Sequence, residues 1–287
     1  MKDKKGPMRW RYPGLAMLVS YADRILKSYP VHDHKFTELV IITEGEGVQY
    51  VNGIEYPISS GDVFVIQGAQ THGFKYLNNV FHWNVAFEAG EALFSHDTLR
   101  KMPGYIALFT LEPYKRASEP FKNRLKLETG ALNWVSALVK RMHDEQKHQP
   151  PGWQEMCRSL LAELVIFLSR KYEGIPVTHQ EDSRIQTIGR IISLMEEEKS
   201  EELTLPLLAS KANMSVNTFL RVFKAMTGSS PVDYLIVIRI EAAKKMLRGS
   251  RMSVGEIAME CGFQDSNYFS RRFKKTAGVS PQKFRTA

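Results

Sequence analysis

Four residues near the start of the chain carry donors that could hold a metal ion or a polar ligand. Residues 32–38 read HDHKFTE, so His32 and His34 lie two apart and Glu38 follows four residues later. His72 returns after two further apolar runs. Strand alternation would place His32, His34, Phe36 and Glu38 on one face. Three imidazoles and a carboxylate suit Zn, Ni, Fe or Mn by ligand type. The same groups could instead hydrogen-bond a small molecule, with no cofactor required. Tyr50 or Trp83 could supply an aromatic plate for the apolar face of that molecule, although Trp83 is equally at home in a core.

A second set of residues suits nucleic acid. Residues 217–228 read NTFLRVFKAMTG and residues 267–278 read NYFSRRFKKTAG, which share the pattern N-x-F-x-R-x-F-K-x-x-x-G at an offset of fifty. Pro231 and Pro281 follow each copy at the same distance. At 100° per residue, Phe219, Val222, Phe223 and Met226 share a core face, and Phe269 and Phe273 repeat it. Asn217, Arg221 and Lys224 fall opposite, as do Asn267, Arg271 and Lys274, with Leu220 and Ser270 flanking. Arginine can grip guanine and asparagine adenine in the major groove, and lysine suits a phosphate. Each asparagine also lies where it could cap a helix.

These residues need elements to position them. Between about 31 and 87, ELVIIT, VQYVNGIEYPI, GDVFVI and FHWNVAF read as short strands, and Asn52-Gly53 suits a type I′ hairpin turn. An antiparallel barrel or jelly roll is the expectation. From 130 to 172, apolar residues recur at helical spacing on both sides of QPPG, which predicts an αα-hairpin. Its stripe could cover the barrel or a second copy of the chain. Residues 173–183 are Gly-, Pro- and polar-rich and read as a linker. The expected divisions are therefore 1–172, 173–183 and 184–287, an α+β two-domain chain with an all-α C-terminal part.

Around each repeat the punctuation is that of a helix-turn-helix. Ser253 and Glu256 form a capping box, Asp265 can cap the next helix, and Thr204 can cap the first helix of the earlier copy. Residues 231–247 contain no breaker and predict one connecting helix of about 25 Å. Such a spacing could place two recognition helices in successive major grooves of one duplex.

Charge supports that assignment. From Leu203 onward the chain carries 14 Lys+Arg and 5 Asp+Glu, a balance of +9, whereas the remainder carries 25 and 26. A basic end on a neutral body fits a polyanion partner. Cys157 and Cys261 form no CxxC pair, so neither a cysteine zinc site nor a disulfide framework is implied. No apolar run approaches a membrane span and no signal-peptide core follows MKDKK, so the cytoplasm is the expected compartment.

From about Ile188 to Arg285 the sequence closely resembles the DNA-binding domain of the AraC/XylS family of bacterial transcription regulators. The two repeats, IRIEAAKKML and the run from AMECGFQDSNYFSRRFKK to SPQKFR carry that resemblance. It implies sequence-specific binding to double-stranded promoter DNA, usually as an activator that contacts RNA polymerase. By motif position, base contacts fall on Asn217, Leu220, Arg221, Asn267, Ser270 and Arg271. Leu220 departs from the polar residue often found there and could meet a thymine methyl. The N-terminal run resembles the cupin motifs, more specifically the sugar-sensing domains of this family's rhamnose regulators. Gln67, Ala69 and Tyr76 depart from the second cupin motif. The resemblance implies a small-molecule effector, a sugar, acting on a homodimer with no enzymatic role. Two other readings stay open: a cupin metalloenzyme fused to a DNA-binding domain, and a barrel that serves only to dimerise.

Overall fold

The computed structural model describes residues 11–12, 14–22, 28–68, 70–88, 96–118, 125–174 and 180–286. The chain divides into two compact units, residues 1–99 with 104–178 and residues 100–103 with 179–287.

Among the described residues the first unit is built on seven antiparallel strands: β1 (Met17–Ala22), β2 (Tyr29–His32), β3 (Thr37–Val51), β4 (Ile54–Ser59), β5 (Asp62–Ile66), β6 (His72–Phe87) and β7 (Leu125–Lys126). Their ladder runs β1-β6-β3-β5-β7, with β2 branching from β6 and β4 from β3. The expected antiparallel sheet is present, but among the described residues its pairing does not close into a ring. The β3–β4 turn has Asn52 at φ 46° and Gly53 at φ 91°, the positive pair that a type I′ turn requires.

β3 and β6 pair along most of their length, with register shifts between Ile42 and Val48. Gly45 sits at one shift with φ +80°, and a Cβ there would lie 2.2 Å from the Asn79 carbonyl oxygen. Only glycine fits that approach. The shifts fold the two halves of the sheet over a core of Val40, Ile42, Ile58, Phe64, Ile66, Phe74 and Val80.

The predicted helical hairpin is α4 and α5, after three short helices. These are α1 (His96–Leu99), α2 (Pro103–Ile106) and, beyond a π-helical turn (Ala107–Leu111), α3 (Glu112–Ser118). α4 spans Thr129–His148 and α5 spans Trp153–Glu173. The structure resolves where the apolar stripe goes: it is buried inside the unit. Gln146 of α4 accepts from Val19 N at 2.9 Å and donates to Met17 O at 3.4 Å, pinning the hairpin to β1. A second copy is not needed to cover the stripe.

The second unit is helical: α6 (Gln180–Glu197), α7 (Leu205–Lys211), α8 (Val216–Thr227), α9 (Pro231–Gly249), α10 (Val254–Glu260), α11 (Ser266–Ala277) and α12 (Pro281–Thr286). Thr204 and Asp265 cap α7 and α11, and Ser253 with Glu256 forms the capping box of α10. The expected linker meets helix at both ends. Glu173 closes α5, and residues 180–183 already open α6. Residues 175–179 lie outside the described residues.

Candidate effector site and nucleic-acid interface

His32, His34, Glu38 and His72 converge, with one donor atom from each lying within 4.8 Å of the others. They do not do so along one strand, as alternation predicted. β2 ends at His32, His34 lies in the connection before β3, and Glu38 is in β3. Convergence comes instead from pairing: His32 faces His72 across β2 and β6, and Glu38 faces Ala86 across β3 and β6. The His32 and His72 ring centroids are 4.2 Å apart.

Glu38 is the centre of the cluster. Its Oε2 lies 2.9 Å from both His34 Nε2 and His72 Nε2, and Asn84 Nδ2 donates to its Oε1. Glu38 and His72 are buried, His34 is half-buried and His32 is exposed. The Nδ1 atoms are committed elsewhere: His32 to Pro30 O at 3.1 Å, His34 to Phe36 O at 3.0 Å and His72 to Gln70 O at 3.0 Å. Donation from Nδ1–H to a carbonyl leaves Nε2 as the ligating nitrogen, the usual orientation of metal-bound histidine. The donor set therefore fits a divalent cation.

The electrostatics are those of a carboxylate that gathers positive charge. Burial works against the charge on Glu38, but the hydrogen bonds from His34 and His72 outweigh it and hold the carboxyl well below its usual range. Burial likewise opposes charge on His72, and its bonds to Glu38 and Gln70 O overcome that and raise its pKa. His82 is pushed down by burial, with only partial compensation from Glu38.

Strand register assigns the other candidates to faces. Glu38, Val40 and Ile42 of β3 share a face with Ala86, Asn84 and His82 of β6. Beyond the register shifts, Gln49 and Val51 pair with Phe74 and His72, so the odd-numbered positions of β3 now point inward. Tyr50 is therefore on the outer face, where Lys75 Nζ sits 4.7 Å from its ring centroid. Trp83 also faces away from Glu38, packing on Tyr21 at 4.5 Å and on His143 of α4 at 5.8 Å. The two rings expected as an aromatic plate thus lie on faces turned away from Glu38.

The rings beside the cluster are others. Phe36 stacks on His34 at 3.8 Å, Tyr29 lies 5.5 Å from His32, and Phe74 lies 5.7 Å from His82. Asn84 and His82 were missed in the sequence, although their even spacing in FHWNVAF sets them apart from the apolar residues. His82 Nδ1 and Asn84 Oδ1 are buried with no hydrogen-bond partner among the described residues.

In the second unit, Phe219, Val222, Phe223 and Met226 of α8 are buried, as are Phe269 and Phe273 of α11. Asn217, Arg221, Lys224, Asn267, Arg271 and Lys274 are exposed, while Leu220 and Ser270 are half-buried. Ser215 and Asp265 provide the N-caps of α8 and α11, so neither asparagine is used as a cap. Each helix thus presents Asn, Arg and Lys on a face opposite its phenylalanines.

Two family models match this chain: an AraC-like ligand binding domain over residues 14–165 and a helix-turn-helix domain over residues 208–287. The chain belongs to the AraC family. It is therefore a helix-turn-helix transcription regulator with a DNA-binding unit and a ligand-binding unit. Among curated relatives, the HTH-type transcriptional activator RhaS of Escherichia fergusonii is 28% identical over 96% of this chain and 94% of its own length. The HTH-type transcriptional activator RhaR of Salmonella dublin is 26% identical, covering 93% and 91%. Among solved structures, the DNA-binding domain of AdpA in complex with a target DNA is 33% identical, covering 35% of this chain and 90% of that one at a TM-score of 0.34. ToxT from Vibrio cholerae is 15% identical, covering 94% and 97% at a TM-score of 0.35. No helix among the described residues is long and apolar enough to cross a membrane.

Proposed function

We propose that this regulator is a cytoplasmic, effector-responsive activator whose effector is a sugar or similar polyol held beside Glu38. The observation that carries this reading is the polar cluster of buried Glu38 and His72 with half-buried His34 and Asn84, flanked by aromatic rings. A polyol needs donors and acceptors for its hydroxyls and a ring for its apolar face. His32, His34, Glu38 and His72 contact the effector, joined by Asn84 and His82. The relatives' names as transcriptional activators support the sign of regulation.

Output is through DNA. Asn217, Leu220 and Arg221 of α8 and Asn267, Ser270 and Arg271 of α11 read bases, while Lys224 and Lys274 hold phosphates. The protein acts as a homodimer that contacts RNA polymerase and performs no catalysis. Effector binding shifts regulation only in so far as it favours one arrangement over another.

A second reading is favoured by the three Nδ1–carbonyl bonds: a divalent ion (Zn, Ni, Fe or Mn) bound by His32, His34, Glu38 and His72. It would supply an electrophilic anchor for effector oxygens. Thermal shift against a sugar panel, with and without chelator and beside elemental analysis, tests both. A sugar-dependent shift lost in Asn84→Ala supports the effector site. Bound metal lost in His34→Ala supports the second reading. No shift with any sugar refutes the first.

A further inference from the structure

We propose that Arg239 is a positioning residue that fixes the two helix-turn-helices relative to each other, so that the spacing of two half-sites on one duplex is read. The inference rests on the reading of α8 and α11 as recognition helices.

The chain passes from the first helix-turn-helix to the second through α9, whose 19 residues span about 28 Å. A rod alone sets distance and leaves the orientation at its ends free. Three side-chain contacts remove that freedom. Phe223 of α8 meets Tyr234 of α9 edge to face at 5.5 Å. Arg272 of α11 lies 2.6 Å from Asp233 in the first turn of α9. That pair is partly exposed and contributes little by itself.

Arg239 is different because one side chain joins three elements. Its Nε donates to Lys199 O at 2.7 Å and its Nη2 to Glu201 O at 2.8 Å, both in the segment between α6 and α7. Its guanidinium carbon lies 5.8 Å from the ring centroid of Phe263, in the turn between α10 and α11. Phe263 is itself buried. The planar fork of arginine serves two carbonyls and a ring face at once, which lysine cannot do.

Gly262, next to Phe263, shows how closely the parts interlock. It has φ +81°, and a Cβ there would lie 2.6 Å from Lys199 O and 2.9 Å from both Ser200 O and Arg239 Nη2. The turn of the second helix-turn-helix thus rides on backbone belonging to the first half of the unit, and Arg239 fills the seam. Two helix-turn-helices held this way would read half-sites at one separation, as a symmetric dimer does through its interface.

The test uses the full-length protein and duplexes enriched by the wild type from a random-sequence DNA pool. Affinity is measured for the enriched two-site duplex, for duplexes with the spacer changed, and for each half-site alone. The variants are Arg239→Met, which keeps side-chain length and loses both hydrogen bonds, and Gly262→Ala, which wedges the seam from its other side. In the wild type, moving one half-site by about two base pairs is expected to weaken binding about tenfold or more, because the second helix leaves its groove. In both variants that penalty falls below about threefold while half-site affinity stays within about twofold. An unchanged penalty overturns the proposal. So does equal loss of half-site and two-site binding, which would make Arg239 a folding residue only. A wild type that enriches duplexes with a single half-site also overturns it and leaves DNA binding intact. Enrichment of no duplex refutes the DNA reading itself.

Discussion

Replacing Glu38 with leucine removes the centre of the polar cluster in the sensing unit. Glu38 is 7% exposed, accepts from His34 and Asn84, and lies 2.9 Å from His72 Nε2. Leucine cancels the carboxylate's own desolvation cost but leaves the His72 imidazole and the Asn84 amide buried without their acceptor. Breaking a buried charged pair from one side costs about 3–5 kcal/mol. For a unit of this size each kcal/mol corresponds to about 2–4 °C, so the first unit should melt about 10 °C lower. Unfolding in urea, in chelator and followed by tryptophan fluorescence, measures the loss. A cycle with His72→Leu sharpens it. The double variant should be less destabilised than the sum of the singles by about 1–3 kcal/mol, because both remove one interaction. A Glu38→Leu loss below about 1 kcal/mol, or additivity of the two changes, would refute Glu38 as the organising acceptor.

Other outcomes follow from the same geometry. Arg221→Ala and Arg271→Ala should each cost about 1–3 kcal/mol in specific DNA binding and relax base preference at one position, as read by competition against mismatched duplexes. Lys274→Ala should weaken binding evenly across sequences and reduce the salt slope by about one. Gly45→Ala places a Cβ against the Asn79 carbonyl at φ +80° and should lower the melting temperature by an amount equivalent to about 1–3 kcal/mol or more. In metal-free protein, the raised pKa of His72 makes its contribution to stability full below the ordinary histidine value. That contribution is lost as pH rises through the raised value. Denaturation across that range should show the decline in the wild type and a flatter profile in Glu38→Gln.

The helical unit was almost wholly legible in the sequence because its signals are local. Capping residues, the phenylalanine spacing and the unbroken run of α9 each depend on neighbours within a few positions. The residues of the metal-like cluster were legible too, but their route together was not. It depends on the pairing of β2 with β6 and on the connection that carries His34. The face of Tyr50 was not legible, because the register shifts around Gly45 turn Gln49 inward and Tyr50 outward. Trp83 takes the core position that the sequence also allowed, packed on Tyr21 and on His143 of α4. Asn84 and His82 went unnoticed because a polar residue between apolar ones reads as solvent-facing unless the other face is also known to be covered. The helices over 96–118 gave no clear period. Arg116, which they bury over the Phe64 ring at 5.2 Å, looks in sequence like any exposed arginine.

Two repeated faces, on α8 and α11, are proposed to read promoter DNA. Binding of the wild type and of the Arg221→Ala/Arg271→Ala double variant to a duplex enriched by the wild type tests this most directly, by fluorescence anisotropy at fixed salt. The wild type should prefer the enriched duplex over random duplex by about 10³-fold or more. The double variant should lose nearly all of that preference, with weak non-specific binding retained. A double variant that keeps the wild-type preference would contradict that reading.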